Sequence, residues 1–364
     1  MKKQLCCVAL ALVCALASTY AQTTHYFLYV SNTVSHDISA FAINPSSGAL
    51  STVKGSPFPS GSSTAGLSAD PTGKFLYAVN PADKAVSAYA INPGTGALSV
   101  ISGSPFHVGI KAEEIAIDLS GKLLYVSNDG SANVSAFTVN PGTGALTAAA
   151  RSPFAVGKYG SYPTGIAIDR TGKLLYVANW SGNVYAYSIK PGTGALAEVS
   201  GSPFAAGANP LGLAIAPTGT ALYVTNIGSG TISAYAITPG TGRLTEVHGS
   251  PFAAGKAASG VAVHPTGNFL YVANNGSANI SGYTISPGDG TLTAIQGSPF
   301  RSGTSPGGIA IDPAGKFLYV TNHVGNNVSA YKIDSAGGLS AMGGSPFAVG
   351  SSPLGVAIAS VTAP

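Results

Sequence analysis

The sequence predicts an all-β protein, a seven-bladed β-propeller with four antiparallel strands in each blade. Three observations lead to this prediction: the composition, a unit that repeats about every 48 residues, and a chain end that completes the first unit. The 364 residues are 45% hydrophobic and only 8% charged, and they include 48 Gly and 24 Pro. This balance is typical of short strands joined by tight turns, and it does not support long amphipathic helices.

One unit occurs seven times along the chain. The Tyr of its Leu-Tyr-Val element recurs at intervals of 47 to 51 residues, at Tyr29, Tyr77, Tyr125, Tyr176, Tyr223, Tyr271 and Tyr319. A Ser-Pro-Phe element closes each unit, with its proline at Pro57, Pro105, Pro153, Pro203, Pro251, Pro299 and Pro346. A period of this length is typical of propeller blades.

Each unit contains four apolar segments in the same order. In the fourth unit they are TGIAID (164–169), LLYVAN (174–179), NVYAYSI (183–189) and LAEVSGSPF (196–204). They are short, rich in Ile, Val, Tyr and Phe, and bounded by turn residues, which favours strands over helices. The LLYVAN segment is apolar throughout, so we expect neighbouring sheets to cover both of its faces.

The two ends of the chain predict a closed ring. The first unit begins at its second strand, YFLYVSN (26–32), and has no innermost strand of its own. The segment GVAIA (355–359) supplies that strand and joins the first blade. An open solenoid would leave this strand without a partner sheet.

The amino terminus has the pattern of an export signal over residues 1–21. Lys2 and Lys3 precede an apolar stretch (5–16), and small residues allow cleavage after Ala17 or Ala21. We therefore expect residues 22–364 to form a single propeller domain that is exported, periplasmic or secreted. The three cysteines, Cys6, Cys7 and Cys14, all lie in the presumed signal, so the mature chain would have no disulfide. A lipid anchor on Cys14 is the alternative, although Val13 is bulky for it.

Charge and hydropathy exclude several partners. The net charge is +4 without any basic tract, which argues against nucleic acid. No stretch of 18 apolar residues occurs later in the chain, so we expect no transmembrane segment. NDGSANV (128–134) and NNGSANI (274–280) faintly resemble calcium loops but contain one carboxylate between them, which favours hairpin loops. We expect no metal, no cofactor and a monomer.

The blade pattern carries a family resemblance. P-x-G-I-A-I-D-P-x-G-K-x-L-Y-V-x-N followed by N-V-S-A-Y-x-I-x-P-G-T-G-A-L is similar to the bacterial lactonase-type seven-bladed propellers. These include 6-phosphogluconolactonase-like and muconate-lactonizing enzymes and YVTN-repeat proteins. The resemblance implies the propeller fold and lactone hydrolysis by His, Arg and Glu side chains that face the central channel.

The positions that the resemblance implies for catalysis hold other residues here. They are Thr164 for the His of the fourth blade, Leu211 and Gly212 for the Arg and His of the fifth, Ile227 for its Glu, and Gly307 for the Arg of the seventh. These residues supply neither a general base nor a cation, which lactone hydrolysis needs. We therefore predict no catalytic residues.

Departures from the repeat consensus give candidate ligand-binding residues. Two loops of each unit should share one face: the loop after Leu-Tyr-Val-x-Asn, and the loop that links Ser-Pro-Phe to the next blade. Charged or aromatic departures in these loops are Lys111, Glu113, Glu114, Lys158, Tyr159, Tyr162, Trp180, Arg301 and His323. Drift in exposed loops is the alternative explanation.

Glu113 and Glu114 stand out because Glu114 replaces a glycine that the other six innermost strands keep. A carboxylate at the narrow end of a blade is costly to desolvate without a partner. We expect at least one of the two to point into the channel mouth and to bind a cation or a cationic or polyhydroxyl ligand. The alternative is that both are solvated at the rim.

Three hypotheses for function follow. The first is an exported, non-catalytic propeller that binds an unknown small molecule or protein at the channel face. The second is a lactonase acting on a sugar lactone such as 6-phosphogluconolactone. The third is a structural propeller of the cell envelope, for which we would expect a face without a pocket.

Overall fold

The computed structural model describes residues 24–157 and 161–362. The predicted signal peptide (1–21), Lys158 and Tyr159 lie outside these residues. Within them the strands form seven antiparallel sheets, and each sheet is one blade of a propeller. The predicted fold class is confirmed.

The bounds of the strands repeat from blade to blade. The innermost strands of blades 1 to 7 are Pro353–Thr362, Leu67–Ala69, Ala112–Ile117, Pro163–Ile168, Pro210–Ile215, Ala258–Val263 and Pro306–Ile311. The second strands are Thr24–Asn32, Phe75–Asn80, Leu123–Asn128, Leu174–Asn179, Ala221–Asn226, Phe269–Asn274 and Phe317–Asn322. The third strands are Asp37–Ile43, Ala85–Ile91, Asn133–Val139, Asn183–Ile189, Thr231–Ile237, Asn279–Ile285 and Asn327–Ile333.

The outer strand of every blade is split into two short pieces. The first pieces are Leu50–Thr52, Leu98–Val100, Leu146–Ala148, Leu196–Glu198, Leu244–Glu246, Leu292–Ala294 and Leu339–Ala341. The second pieces are Phe58–Pro59, Phe106–His107, Phe154–Ala155, Phe204–Ala205, Phe252–Ala253, Phe300–Arg301 and Phe347–Ala348. Both pieces pair with the third strand of the same blade.

This split differs from the single strand predicted over residues 196–204, and a serine explains it. After Glu198 the chain turns, with Gly201 at φ +88° and the Ser202 N–H donating to the Val199 carbonyl over 3.0 Å. The Ser202 hydroxyl accepts the Ala186 N–H of the third strand over 3.1 Å. The third strand thus keeps its hydrogen bond where the backbone of the outer strand has turned away.

The carboxyl-terminal strand closes the ring as predicted, and it is longer than predicted. It pairs antiparallel with the second strand of blade 1, with Tyr29 opposite Ala357 and Thr24 opposite Thr362. Ala357, Ala359 and Val361 are buried, whereas Val356 is half-buried because it lines the central channel.

The hydrophobic core lies between the blades rather than inside any one of them. One cluster joins Leu28 and Val30 of blade 1 to Phe317 and Tyr319 of blade 7. Each repeated tyrosine adds a hydrogen bond across such an interface: the Tyr176 hydroxyl, for example, donates to the Gly242 carbonyl in the next blade over 3.0 Å. Burial raises the pKa of these tyrosines, so they stay protonated donors.

Helical structure is minimal in the described part of the chain, which contains one short 3₁₀ helix, Asp129–Ser131. The described residues therefore include no helix with the length and apolarity needed to cross a membrane.

Candidate functional site

The two loops that were predicted to share a face are hydrogen-bonded to each other. In blade 3 the Asp129 N–H donates to the Lys111 carbonyl over 2.9 Å, and in blade 4 the Trp180 N–H donates to the Tyr162 carbonyl over 3.0 Å. These loops lie at the starts of the innermost strands, which line the central channel. They therefore surround one end of the channel, which we call the channel mouth.

Innermost strands approach one another closely around the channel. A Cβ atom built at Gly165 would collide with the carbonyl oxygen of Leu211 in the next blade. Glycine is therefore required there for the close contact of the two strands. Glu114 occupies the same position of blade 3, and its carboxylate lies over Gly66 of blade 2, where an added Cβ would be 2.8 Å from Oε2.

A bulge brings both glutamates to the channel. The pairing of the innermost and second strands of blade 3 shifts register between Ala112 and Ile115. A bulge places two residues of one strand opposite one residue of its partner and so re-aims their side chains. Glu113 and Glu114 accordingly both line a cavity of about 310 Å³ in the channel, which we call the channel cavity.

Small and apolar residues form the rest of the channel cavity. Thr164, Leu211, Gly212 and Gly307, four of the positions that the family resemblance implies for catalysis, all line it. The Thr164 hydroxyl is buried and lies 2.9 Å from the Pro210 carbonyl and 3.3 Å from that of Ala178, so it is already bonded.

The remaining hydroxyl in the channel cavity and the fifth implied position add no reactive group. Ser259 donates in the same way to the carbonyls of Ala273 and Pro306. Ile227 is half-buried and does not line the channel cavity. Among the described residues, the channel cavity has two carboxylates and no cation.

A second cavity of about 470 Å³ opens beside the first, and we call it the mouth cavity. It is lined by Glu113, Asp129, Tyr162, Thr164, Trp180 and Leu211. Tyr162 is 49% exposed and Trp180 is 40% exposed, which is high for aromatic side chains. The Tyr162 N–H donates to Asn179 Oδ1 over 2.7 Å, and Asn209 Nδ2 donates to the Trp180 carbonyl over 3.3 Å, so the backbone holds both residues in place.

Asp129 belongs to this site, and sequence reasoning did not select it. Its Oδ1 is buried and has no hydrogen-bond partner among the described residues. Asp129 directly follows Asn128 at the end of the second strand, at the same blade position as Trp180 and His323. That shared position was the signal from which the sequence could have identified it.

Burial raises the pKa of all three carboxyl groups of the site. Burial, with a smaller contribution from the charge of Asp129, raises the pKa of Glu113 to about 7, and Lys111 offsets only part of this rise. Burial raises the pKa of Glu114 to about 7. The N–H of Ile115, which donates to Oε2 of Glu114 over 3.3 Å, lowers this pKa but does not cancel the rise. Glu114 is also solvent-exposed, because it faces the channel cavity. The pKa of Asp129 is raised by burial as well.

The other candidates from the sequence lie outside the two cavities. Lys111 is exposed beside the mouth and acts on Glu113 and Asp129 only through its charge. Arg301 is exposed on the outer strand of blade 6, opposite Asn279. His323 is at the mouth face of blade 7, with its N–H bonded to the Ser305 carbonyl over 2.9 Å. Neither Arg301 nor His323 lines either of these two cavities.

The acidic residues do not form a metal centre. In residues 24–157 and 161–362, no group of three or more His, Cys, Asp or Glu side chains is arranged to hold a metal ion. The three carboxylates are instead spread along the cavity walls.

Comparison with known proteins identifies the family. The sequence profile described as "Lactonase, 7-bladed beta-propeller" matches residues 16–110, 101–207 and 183–353. The chain belongs to this lactonase family. A comparison with curated protein sequences finds no match.

Solved structures of similar fold agree with the family assignment. A candidate 6-phosphogluconolactonase from Bacteroides uniformis superposes with a TM-score of 0.80 at 20% identity, covering 92% of this chain and 99% of that one. The periplasmic gluconolactonase PpgL of Pseudomonas aeruginosa gives 0.79 at 19% identity, covering 93% and 100%. A Lactobacillus plantarum protein gives 0.74 at 21% identity, covering 92% and 99%. At these identities the likeness shows the fold of the lactonase family alone.

Proposed function

We propose that this member of the lactonase family is an exported, non-catalytic propeller that binds a small molecule at the channel mouth. The observation that supports it best is the content of the channel. Among the described residues that line the two cavities, the charged side chains are carboxylates, and most of the other residues are small or apolar. Export is supported by Lys2, Lys3 and the apolar stretch 5–16 that precedes Ala17 and Ala21.

A phosphorylated sugar lactone is a poor fit to this site. Its phosphate is anionic, and Glu113, Glu114 and Asp129 would repel it with no cation lining either cavity to compensate. Like charges brought together in a partly desolvated site disfavour binding. The expected ligand is therefore uncharged or positively charged.

Lactone hydrolysis is the second candidate, and one observation favours it. A glutamate whose pKa is raised to about 7, as for Glu113, suits a general base at neutral pH. Hydrolysis also needs groups that stabilise the oxyanion. In the channel cavity the hydroxyls of Thr164 and Ser259 are already bonded to backbone carbonyls, which argues against it.

The structural-envelope hypothesis predicted a face without a pocket. The channel mouth instead has cavities of about 310 and about 470 Å³. Small-molecule sites are concave and contain a few polar groups among apolar walls, as these cavities do.

A screen by tryptophan fluorescence tests the proposal. Trp180 is the one tryptophan of the chain and lines the mouth cavity, so its emission reports on occupancy of that cavity. The panel contains organic ammonium ions, neutral sugars and polyols, and sugar phosphates. We expect saturable changes from a cationic or neutral class and none from sugar phosphates. A folded protein whose emission no class changes would refute the proposal.

A further inference from the structure

We propose that the mouth cavity takes a small organic cation, in which an ammonium group is attached to an apolar body. This inference rests on the proposed function, because it names the class of ligand that the same site binds. Four features of the described residues support it: the incompletely compensated negative charge, a carboxylate oxygen without a hydrogen-bond partner, the aromatic lining, and the spread of the acidic groups.

The charge of the cavity is only partly compensated. Glu113 and Asp129 line the mouth cavity, and Glu114 lies next to Glu113 in the channel cavity. Lys111 acts on Glu113 and Asp129 through its charge, but it is exposed and lines neither cavity. Carboxylates that are partly removed from water without a partner are costly, and a bound cation would offset that cost where a neutral ligand would not.

One oxygen of the Asp129 carboxylate has no hydrogen-bond donor among the described residues. This atom, Oδ1, is buried, although Asp129 lines the cavity. Buried polar atoms in folded proteins are normally bonded, so an unpartnered acceptor beside a cavity indicates that a donor is missing. An ammonium group supplies up to three N–H donors together with a positive charge.

Part of the lining of the mouth cavity is aromatic. Tyr162 and Trp180 remain 49% and 40% exposed, and their loops are hydrogen-bonded to each other. Aromatic faces attract cations and pack against apolar groups, and Trp is the strongest of them. Leu211 adds apolar surface on the same cavity. This lining fits the apolar body of the ligand.

The spread of the acidic groups favours an organic cation over a metal ion. No group of three or more potential ligands within the described ranges is arranged to hold a metal. Carboxylates that lie along a cavity rather than around a point suit an extended ligand.

Titration calorimetry with benzylammonium tests the inference, and benzyl alcohol serves as the uncharged probe of the same shape. Benzylammonium should bind saturably, change the Trp180 emission, and bind at least about tenfold more tightly than benzyl alcohol. Glu113→Gln and Asp129→Asn should each weaken it by about tenfold, the loss expected when one charge-assisted hydrogen bond is removed. Glu198→Gln, which removes the same charge from the exposed outer strand of blade 4, should leave the affinity unchanged. Thermal melts verify that each variant is folded.

The other outcomes separate this inference from the proposed function. Equal affinity for the two probes, or equal affinity in all variants, would refute a cation site and leave a binding propeller. Binding of neutral polyols but not of benzylammonium would do the same. If no compound binds to the folded protein, both proposals fail.

Discussion

The hydroxyl group of Tyr319, in blade 7, donates a 2.7 Å hydrogen bond to the backbone carbonyl of Gly48, in blade 1. The same bond joins Tyr29 of blade 1 to Gly96 of blade 2, over 2.8 Å. The equivalent tyrosine donates to the equivalent glycine carbonyl of the next blade at all seven interfaces of the ring, including the closing one.

Replacing Tyr319 by Phe should lower the free energy of unfolding by about 1 to 3 kcal/mol, because the buried Gly48 carbonyl loses its donor. Tyr176→Phe, which removes the equivalent bond within the ring, is the matched control. Urea unfolding should give similar losses for the two variants. If Tyr319→Phe left the free energy of unfolding unchanged while Tyr176→Phe lowered it, the result would contradict a closed ring.

Deleting residues 353–364 should strongly destabilise the protein. The deletion removes the buried Ala357, Ala359 and Val361 and exposes the edge of the second strand of blade 1. Val361 alone contributes about 1.5 to 3 kcal/mol when fully buried. We expect aggregation or a much lower melting temperature by calorimetry. A truncated protein that melts with the full chain would show that this strand does not close the ring.

Stability should fall as pH rises through the titration of the two channel glutamates. Their pKa values are raised in the folded state from 4.5 to about 7, so between these values the folded protein binds more protons than the unfolded chain. The free energy of unfolding then decreases with rising pH over that window and levels off above it.

Urea unfolding at about pH 5 and about pH 8, on either side of the raised pKa values, measures this effect. The double variant Glu113→Gln with Glu114→Gln should remove most of the decrease, whereas Glu198→Gln should retain it. If the double variant kept the full pH dependence, the two carboxylates would not be its source.

The sequence repeat predicted most of the fold because the same strand and turn segments occur in every blade. The repeat also identified Glu114 as a channel residue, because the other six innermost strands have glycine at this position. The split of the outer strand was not predictable in this way, since the Ser202 hydroxyl takes over a backbone role that apolar patterning does not reveal.

The members of the site were harder to predict, because a departure from the consensus does not give the distance from the channel axis. Arg301 departs from the consensus as clearly as Trp180 does. Arg301, however, lies on the outer strand of blade 6, opposite Asn279 of the third strand, whereas Trp180 lines the mouth cavity. Asp129 was overlooked because Asp followed by Gly and Ser is ordinary turn chemistry. Its burial without a partner is visible only in three dimensions.

The rate of lactone ring opening tests most directly whether this propeller binds without catalysis. Purified protein is added to glucono-1,5-lactone and to 6-phosphogluconolactone in a pH-stat, beside the double variant Glu113→Gln with Glu114→Gln. We predict that both proteins leave the spontaneous rate unchanged. Acceleration that persists through purification and is lost in the double variant would contradict the account and identify a lactonase with a glutamate base.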